Sequence, residues 1–379
     1  MKRKRGVSFL LLLLGILLLQ PPGLGWAATP APPAISAQTA ALIDVQSGRV
    51  LLEKDSTKRM KIASLTKIMT AIVAIENGNI NDMVKTSNTA FGKEGSSIYL
   101  KRGEKLRLED MLYGLMLRSG NDAAVAIAEH VGGSVEGFAH LMNEKARYIG
   151  MTQSHFTNPH GLDDSNDHYS TARDMALLTA YALRNPVFKK IVSTKVKTIP
   201  NQGEEWDRRL LNKNKMLRMY QGADGVKTGY TKLAKRCLAS SATRNGQQLA
   251  IVVLNAPDDW DDSATWMNYG FTHFPKMELL KTKQAVQEKK DGGKEKTLYT
   301  TRSFSYPLRP EEKGNIKMDV KTVDDNPMME VKLGDQVIGR IPLEATKKTK
   351  ETIQPTLANR VKNQWDAFWR SWLGVLSDG

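Results

Sequence analysis

Residues 61–75, KIASLTKIMTAIVAI, are apolar nearly all the way round a helical repeat: Leu65, Ile68, Met69, Ala71, Ile72, Val73, Ala74 and Ile75 leave almost no polar face. A helix of that kind belongs inside a domain. Lys67 lies in its first turn, one turn after Ser64, and a lysine is almost never fully buried without a partner. Other elements follow from the same patterning. AALIDVQSGRVLLEKDS reads as two strands about a Ser47–Gly48 turn. Leu106 to Val131 reads as a helical stretch, apolar on both sides of a polar break at Ser119, Gly120 and Asn121. STARDMALLTAYAL is a helix with Ser170 or Thr171 as its N-cap. GVKTGYT, RCLASSAT and QQLAIVVLN read as strands, the last two joined by an Asn245–Gly246 hairpin turn. Beyond about Pro275 the pattern changes. KTKQAVQEKKDGGKEK is charged and lacks helical periodicity, and Leu298–Tyr306, Ile316–Val323 and Met328–Ile341 look like short strands of a small all-β domain.

The two ends carry addresses. MKRKR is followed by the apolar run GVSFLLLLLGILLLQ and by PPGLGWAATPAPPA, with Gly25 and Ala27 suited to a cleavage site, so residues 1–27 read as a secretory signal peptide. In the tail, Leu357, Val361, Trp365, Phe368, Trp372 and Val375 recur at three- and four-residue steps, while Arg360, Lys362, Asp366 and Arg370 interrupt any run long enough to span a bilayer. Residues 353–379 therefore read as an amphipathic helix on a membrane surface, the alternative being a helix packed on its own domain.

Composition adds limits. The chain has 379 residues, 41% hydrophobic and 25% charged, enough for two domains with ordinary cores. Its formal net charge is +15, and +11 once the four basic residues Lys2 to Arg5 are set aside. Export makes anionic envelope surfaces, and not nucleic acid, the counterpart of that charge. A single cysteine, Cys237, excludes an internal disulfide. His160 and His168 flank Asp163, Asp164 and Asp167 in imitation of a metal site, but a polar surface loop is the reading adopted.

Three short motifs carry chemistry. Serine oxygen is a weak nucleophile that needs an adjacent base, and positions i and i+3 of a helix share a face, so Lys67 can reach Ser64. Burial disfavours the charged form of a lysine and so makes it a base. A backbone N–H near a helix N-terminus is free of the ladder and can help stabilise an oxyanion. The bland alternative is a snorkelling lysine beside an N-cap serine. Ser119-Gly120-Asn121 also fits a simple joint between helices. Lys227-Thr228-Gly229 opens a predicted strand, with a solvated lysine as the alternative and Gly229 marking a close approach to the backbone.

Together and in this order, the motifs match the S-x-x-K, S-x-N and K-T-G set of penicillin-binding proteins and class A β-lactamases. With ASLTKIMTA, MLYGLMLRSGNDAA, NPHGLDD, YSTARDMALL and DGVKTGYT around them, the chain resembles the low-molecular-mass penicillin-binding proteins, the serine-type D-Ala-D-Ala carboxypeptidases of peptidoglycan. The resemblance covers nearly everything after the signal peptide.

It implies an α/β (α+β) transpeptidase-like domain over residues 28–275, with an antiparallel sheet, helices on both sides and a helical lobe. A small β-rich domain over residues 276–352 and the anchoring helix follow. It implies Ser64 as nucleophile, Lys67 as proton acceptor, Ser119 as proton relay and Asn121 as orienter of the substrate amide. Lys227 supplies positive charge and keeps Lys67 neutral, Thr228 binds the terminal carboxylate, Gly229 belongs to the same strand, and the N–H groups of Ser64 and Tyr230 form an oxyanion hole. It further implies stem peptides ending in D-Ala-D-Ala as substrates, β-lactams as covalent inhibitors, the outer face of the cytoplasmic membrane as location, and no metal or organic cofactor. Two departures stand out. Tyr230 occupies a position where well-known relatives have histidine, and APDDWDD, after Asn255, is acidic where some relatives place an arginine near the substrate carboxylate. A class A β-lactamase would also need a glutamate for deacylation, and no E-x-x-x-N lies between Asn121 and Lys227, Glu205 and Asn212 being too far apart. A penicillin-sensing domain is the non-enzymatic alternative.

Overall fold

The computed structural model describes residues 29–291 and 294–347; the predicted signal peptide, residues 1–27, and the predicted amphipathic helix, residues 353–379, lie outside the described residues. The chain divides into two units.

The first unit, running to Met277, is built on five strands. β1 (Thr39–Asp44) and β2 (Val50–Lys54) form the first hairpin; β3 (Ala223–Thr231), β4 (Lys235–Arg244) and β5 (Gln247–Leu254) form a meander. All pairings are antiparallel, in the order β2-β1-β5-β4-β3, which leaves β3 on an edge. Asn245 and Gly246 join β4 to β5 at φ +49 and +73, the left-handed pair that a two-residue hairpin requires. Both faces of the sheet are buried, so LAIVVL reads as an unbroken apolar run. Ala250 and Val252 face one core with Ala41 and Ile43, whereas Leu249, Ile251 and Val253 face the other with Ala40 and Leu42.

Helices supply the two outer layers. α1 (Thr66–Asn77), α2 (Leu108–Tyr113), α3 (Asn121–Gly132), α4 (Val135–Ile149), α5 (Ala172–Leu183) and α6 (Pro186–Ser193) gather on one side. α7 (Asp259–His273) covers the other side with Trp266, Met267 and Tyr269. α1 is the centre of the helical side, buried from Thr66 to Ala74. Ile68, Met69 and Ile72 are fully buried on it and contribute about 1.5–3 kcal/mol each. That is enough to offset the several-kcal/mol cost of burying an amine in the same helix. Thr171, not Ser170, caps α5: its hydroxyl accepts from the Asp174 N–H at 3.0 Å. The stretch read as helical from Leu106 to Val131 is in fact divided. It runs through a short strand at Lys105–Arg107, then α2, a wide π-helical turn at Gly114–Arg118, the left-handed Ser119 and α3. Apolar periodicity alone does not register such a change of winding. Tyr306–Gly314 also belongs to this unit; Glu312 there accepts from Arg49 Nη1 at 3.0 Å.

The second unit holds a five-stranded antiparallel sheet. Its strands are β6 (Ala285–Asp291), β7 (Lys294–Thr300), β8 (Ile316–Val323), β9 (Asn326–Leu333) and β10 (Gln336–Lys347), in the order β6-β7-β10-β9-β8. Leu298, Met329, Val331, Ile341 and Leu343 form its core. The charged run at 281–296, which shows no element by periodicity, contributes β6 and the start of β7. β6 is an edge strand, a position where lysine-rich sequence is usual because charge there discourages pairing with other chains.

Candidate active site

Ser64 lies in a 3-10 turn, Ala63–Leu65, immediately before α1. Its N–H is therefore outside the ladder of that helix. Two glycines let other backbones close on the turn. A Cβ at Gly161, where φ is +82, would stand 1.9 Å from the Ala63 carbonyl oxygen, and one at Gly229 would stand 3.2 Å from the Ser64 nitrogen. Strand β3 thus passes directly beside the serine.

Lys67 is completely buried. Its Nζ is 3.0 Å from Ser64 Oγ, 2.7 Å from Asn121 Oδ1 and 2.6 Å from the His160 carbonyl oxygen. The Asn121 amide is oriented by its Nδ2, which donates to the Glu94 carbonyl at 2.6 Å, so its oxygen faces the lysine. These contacts accommodate a neutral amine: its two N–H groups satisfy the two obligatory acceptors, and the Ser64 hydroxyl, an acceptor for a charged Nζ, donates to the lone pair of a neutral one. The electrostatics agree: burial first, then the charges of Lys227 and Lys213, holds the Lys67 amine well below the usual lysine range, against a smaller pull from Asp122.

The π-helical turn delivers Ser119 in left-handed conformation, at φ +65, and α3 then opens with Asn121. Ser64, Ser119, Thr228, Gly229 and Tyr230 line one cleft of about 340 Å³. Lys67, Asn121 and Lys227 are each buried. Lys227 differs from its sequence reading. It sits in the middle of β3, 1% exposed, and does not open the strand in solvent; its Nζ donates to the Thr228 carbonyl at 2.7 Å. Burial and then the Lys213 charge push its pKa down to about 7.

The stretch read as a polar surface loop is likewise different, because His160 and His168 are both buried. Thr66 Oγ1 donates to the Ala63 carbonyl at 2.9 Å, so it accepts from His168 Nε2 at 2.8 Å, while His168 Nδ1 accepts from the Thr157 N–H at 3.1 Å. Both ring nitrogens are thereby used, one of them on Thr66 just after the turn that carries Ser64, and burial keeps this imidazole neutral, with its pKa lowered to about 3. Among the described residues no cluster of histidine, cysteine and carboxylates has the arrangement of a metal site. The cleft also contains Lys213, Arg236, Asp259 and Trp260, which motif spacing does not single out. Arg236 opens a strand pattern, and APDDWDD reads by charge alone.

A sequence profile described as D-alanyl-D-alanine carboxypeptidase matches residues 26–258. The chain is 33% identical over 359 residues to D-alanyl-D-alanine carboxypeptidase DacF of Bacillus subtilis, covering 88% of this chain and 91% of that one. It is 33% identical over 268 residues to D-alanyl-D-alanine carboxypeptidase DacB2 of Mycobacterium tuberculosis, covering 67% and 91%. Among solved structures, penicillin binding protein 5 from Haemophilus influenzae superposes with a TM-score of 0.70 at 28% identity, over 84% of this chain and 98% of that one.

Proposed function

Since the chain belongs to the D-alanyl-D-alanine carboxypeptidase family and is a serine-type penicillin-binding carboxypeptidase, we propose that Ser64 is its nucleophile and Lys67 the base. The observation that carries this reading is the Lys67 amine, buried, depressed in basicity and 3.0 Å from Ser64 Oγ, with its other contacts taken by acceptors. The free edge of β3 takes the extended end of a D-Ala-D-Ala peptide as an added strand. Ser64 Oγ attacks the carbonyl carbon of the penultimate D-alanine as its proton passes to Lys67 Nζ. The N–H groups of Ser64 and Tyr230 hold the oxyanion. The C–N bond then breaks, and the terminal D-alanine leaves with a proton relayed through Ser119. Water, deprotonated by the same amine, hydrolyses the ester. Asn121 orients the substrate amide, and Lys227 keeps Lys67 neutral through its charge. A β-lactam acylates Ser64 in the same way, but its leaving nitrogen stays tethered and obstructs water.

The cationic chain, its leader-like first 27 residues and the aromatic stripe from Leu357 to Val375 support an exported enzyme held at the outer face of the cytoplasmic membrane by its tail. Among the described residues no helix is long and apolar enough to cross a membrane.

Incubation with a soluble pentapeptide ending in D-Ala-D-Ala tests the reading. Stoichiometric release of D-alanine, abolished by Ser64→Ala, is expected. Rapid penicillin hydrolysis without D-alanine release would indicate a lactamase, and acylation without any turnover a sensor.

A further inference from the structure

The last residue of a D-Ala-D-Ala substrate ends in a carboxylate, and a carboxylate leaving water needs a cation with directed hydrogen bonds. Among the described residues, Lys213 and Arg236 line the cleft and Lys227 is buried on the strand that borders it. Lys227 is buried with its Nζ on the Thr228 carbonyl. Lys213 belongs to the helical side: its Nζ donates to Ser96 Oγ at 3.1 Å and its backbone N–H to the Leu117 carbonyl at 3.1 Å. Arg236 belongs to the sheet side. It is the direct cross-strand partner of Tyr230, and Thr228, two residues earlier, shares that face of β3. Thr228, Tyr230 and Arg236 all line the cleft.

The acidic segment completes the picture. Asp259, the first residue of α7, is 3% exposed. Its Oδ1 accepts from Arg236 Nη2 and, at 3.2 Å, from Nε. One carboxylate oxygen thus occupies two of the five guanidinium N–H groups and leaves three, while the arginine side chain keeps 44% of its surface exposed. The pair has a buried anchor and an open end. An acidic residue that would repel a carboxylate on its own instead fixes the direction of a planar donor.

We propose that Arg236, oriented by Asp259, binds the C-terminal carboxylate of the substrate beside the Thr228 hydroxyl and so sets the enzyme's preference for a free C-terminus. This rests on the Ser64 carboxypeptidase reading. Arg236 is a binding residue, and Asp259 a positioning residue that acts through it.

The test compares kcat/KM for an acyl-lysyl-D-Ala-D-Ala peptide with that for its C-terminal carboxamide. Wild type prefers the carboxylate. Arg236→Gln lowers that preference roughly 10- to 100-fold, the worth of a charge-assisted hydrogen bond. Arg236→Lys, which keeps the charge and loses the fork, falls between, as does Asp259→Asn. A merely structural role would lower both substrates alike and leave the ratio unchanged, which would overturn the proposal. So would a ratio that collapses in Lys213→Gln and holds in Arg236→Gln. If Arg236→Gln does not fold, Arg236→Lys decides by the same ratio. Absence of D-alanine release by the wild type would overturn the carboxypeptidase reading itself, a result distinct from an unchanged ratio in an active enzyme.

Discussion

At the scale of single residues, the proposed chemistry depends on which of two buried lysines holds a proton. Lys67 works as a base only when neutral, so acylation falls as pH drops through its pKa. The Lys227 charge is the largest cause, after burial, holding that pKa down. Lys227→Gln removes it, the Lys67 pKa rises, and the acid limb of acylation moves to higher pH while the overall rate falls. Fluorescent-penicillin labelling across pH measures this; an acid limb in the same place would show that Lys227 does not act on Lys67. Stability follows a related sign. Lys227 titrates near 7 in the fold against an ordinary 10.5 unfolded, so between those values the unfolded chain binds more protons and stability rises with pH. Melting temperature should therefore climb from neutral to alkaline pH more in wild type than in Lys227→Gln. The burial of the helix around Lys67 was legible in the sequence, because Leu65, Ile68, Met69, Ala71 and Ile72 leave almost no polar face, though a snorkelling Lys67 fitted the same pattern. That of Lys227 was not, since nothing in GVKTGYT reveals that the turn before α1 lies against that strand.

At the scale of elements, the site is the meeting of a turn, a strand and a broken helix. Strands with simple alternation or apolar runs, and the Asn245–Gly246 turn, could be read from local pattern. The π-helical turn and left-handed Ser119 between α2 and α3 could not, because apolar periodicity does not distinguish a wide turn from an α-helical one. The start of α7 had a readable signal that charge obscured: Asp259, Asp261 and Asp262 occupy its first turn, where the helix dipole favours acids. Glycine substitution tests the meeting itself. Gly229→Ala places a methyl 3.2 Å from the Ser64 nitrogen and 3.3 Å from the Ile62 carbonyl oxygen, distances a small shift can relieve. It should cost about 1 kcal/mol of stability and yet lower acylation at least tenfold by displacing the turn. Gly161→Ala meets the Ala63 oxygen at 1.9 Å from a left-handed backbone and should destabilise the unit by several kcal/mol. Thermal melts with penicillin labelling separate the two; unaltered labelling of Gly229→Ala would mean that β3 does not constrain Ser64.

At the scale of the whole molecule, catalysis is proposed for the unit running to Met277 and attachment for the tail. Its apolar stripe is legible in sequence, but amphipathicity alone does not choose between lipid and protein as the covering surface. Truncation before Pro355 should abolish binding to anionic vesicles while D-alanine release from soluble peptide persists. Equal vesicle binding by truncated and full-length chains would contradict the anchor, and loss of folding would favour a helix packed on its own domain. The proposed chemistry turns on one bond, between Ser64 Oγ and an acyl carbon, formed with Lys67 as base. It is tested most directly by peptide mass mapping after brief exposure to benzylpenicillin. The predicted result is a single penicilloyl adduct on the peptide carrying Ser64, absent from folded Lys67→Ala; an adduct on another residue, or wild-type labelling of Lys67→Ala, would contradict it.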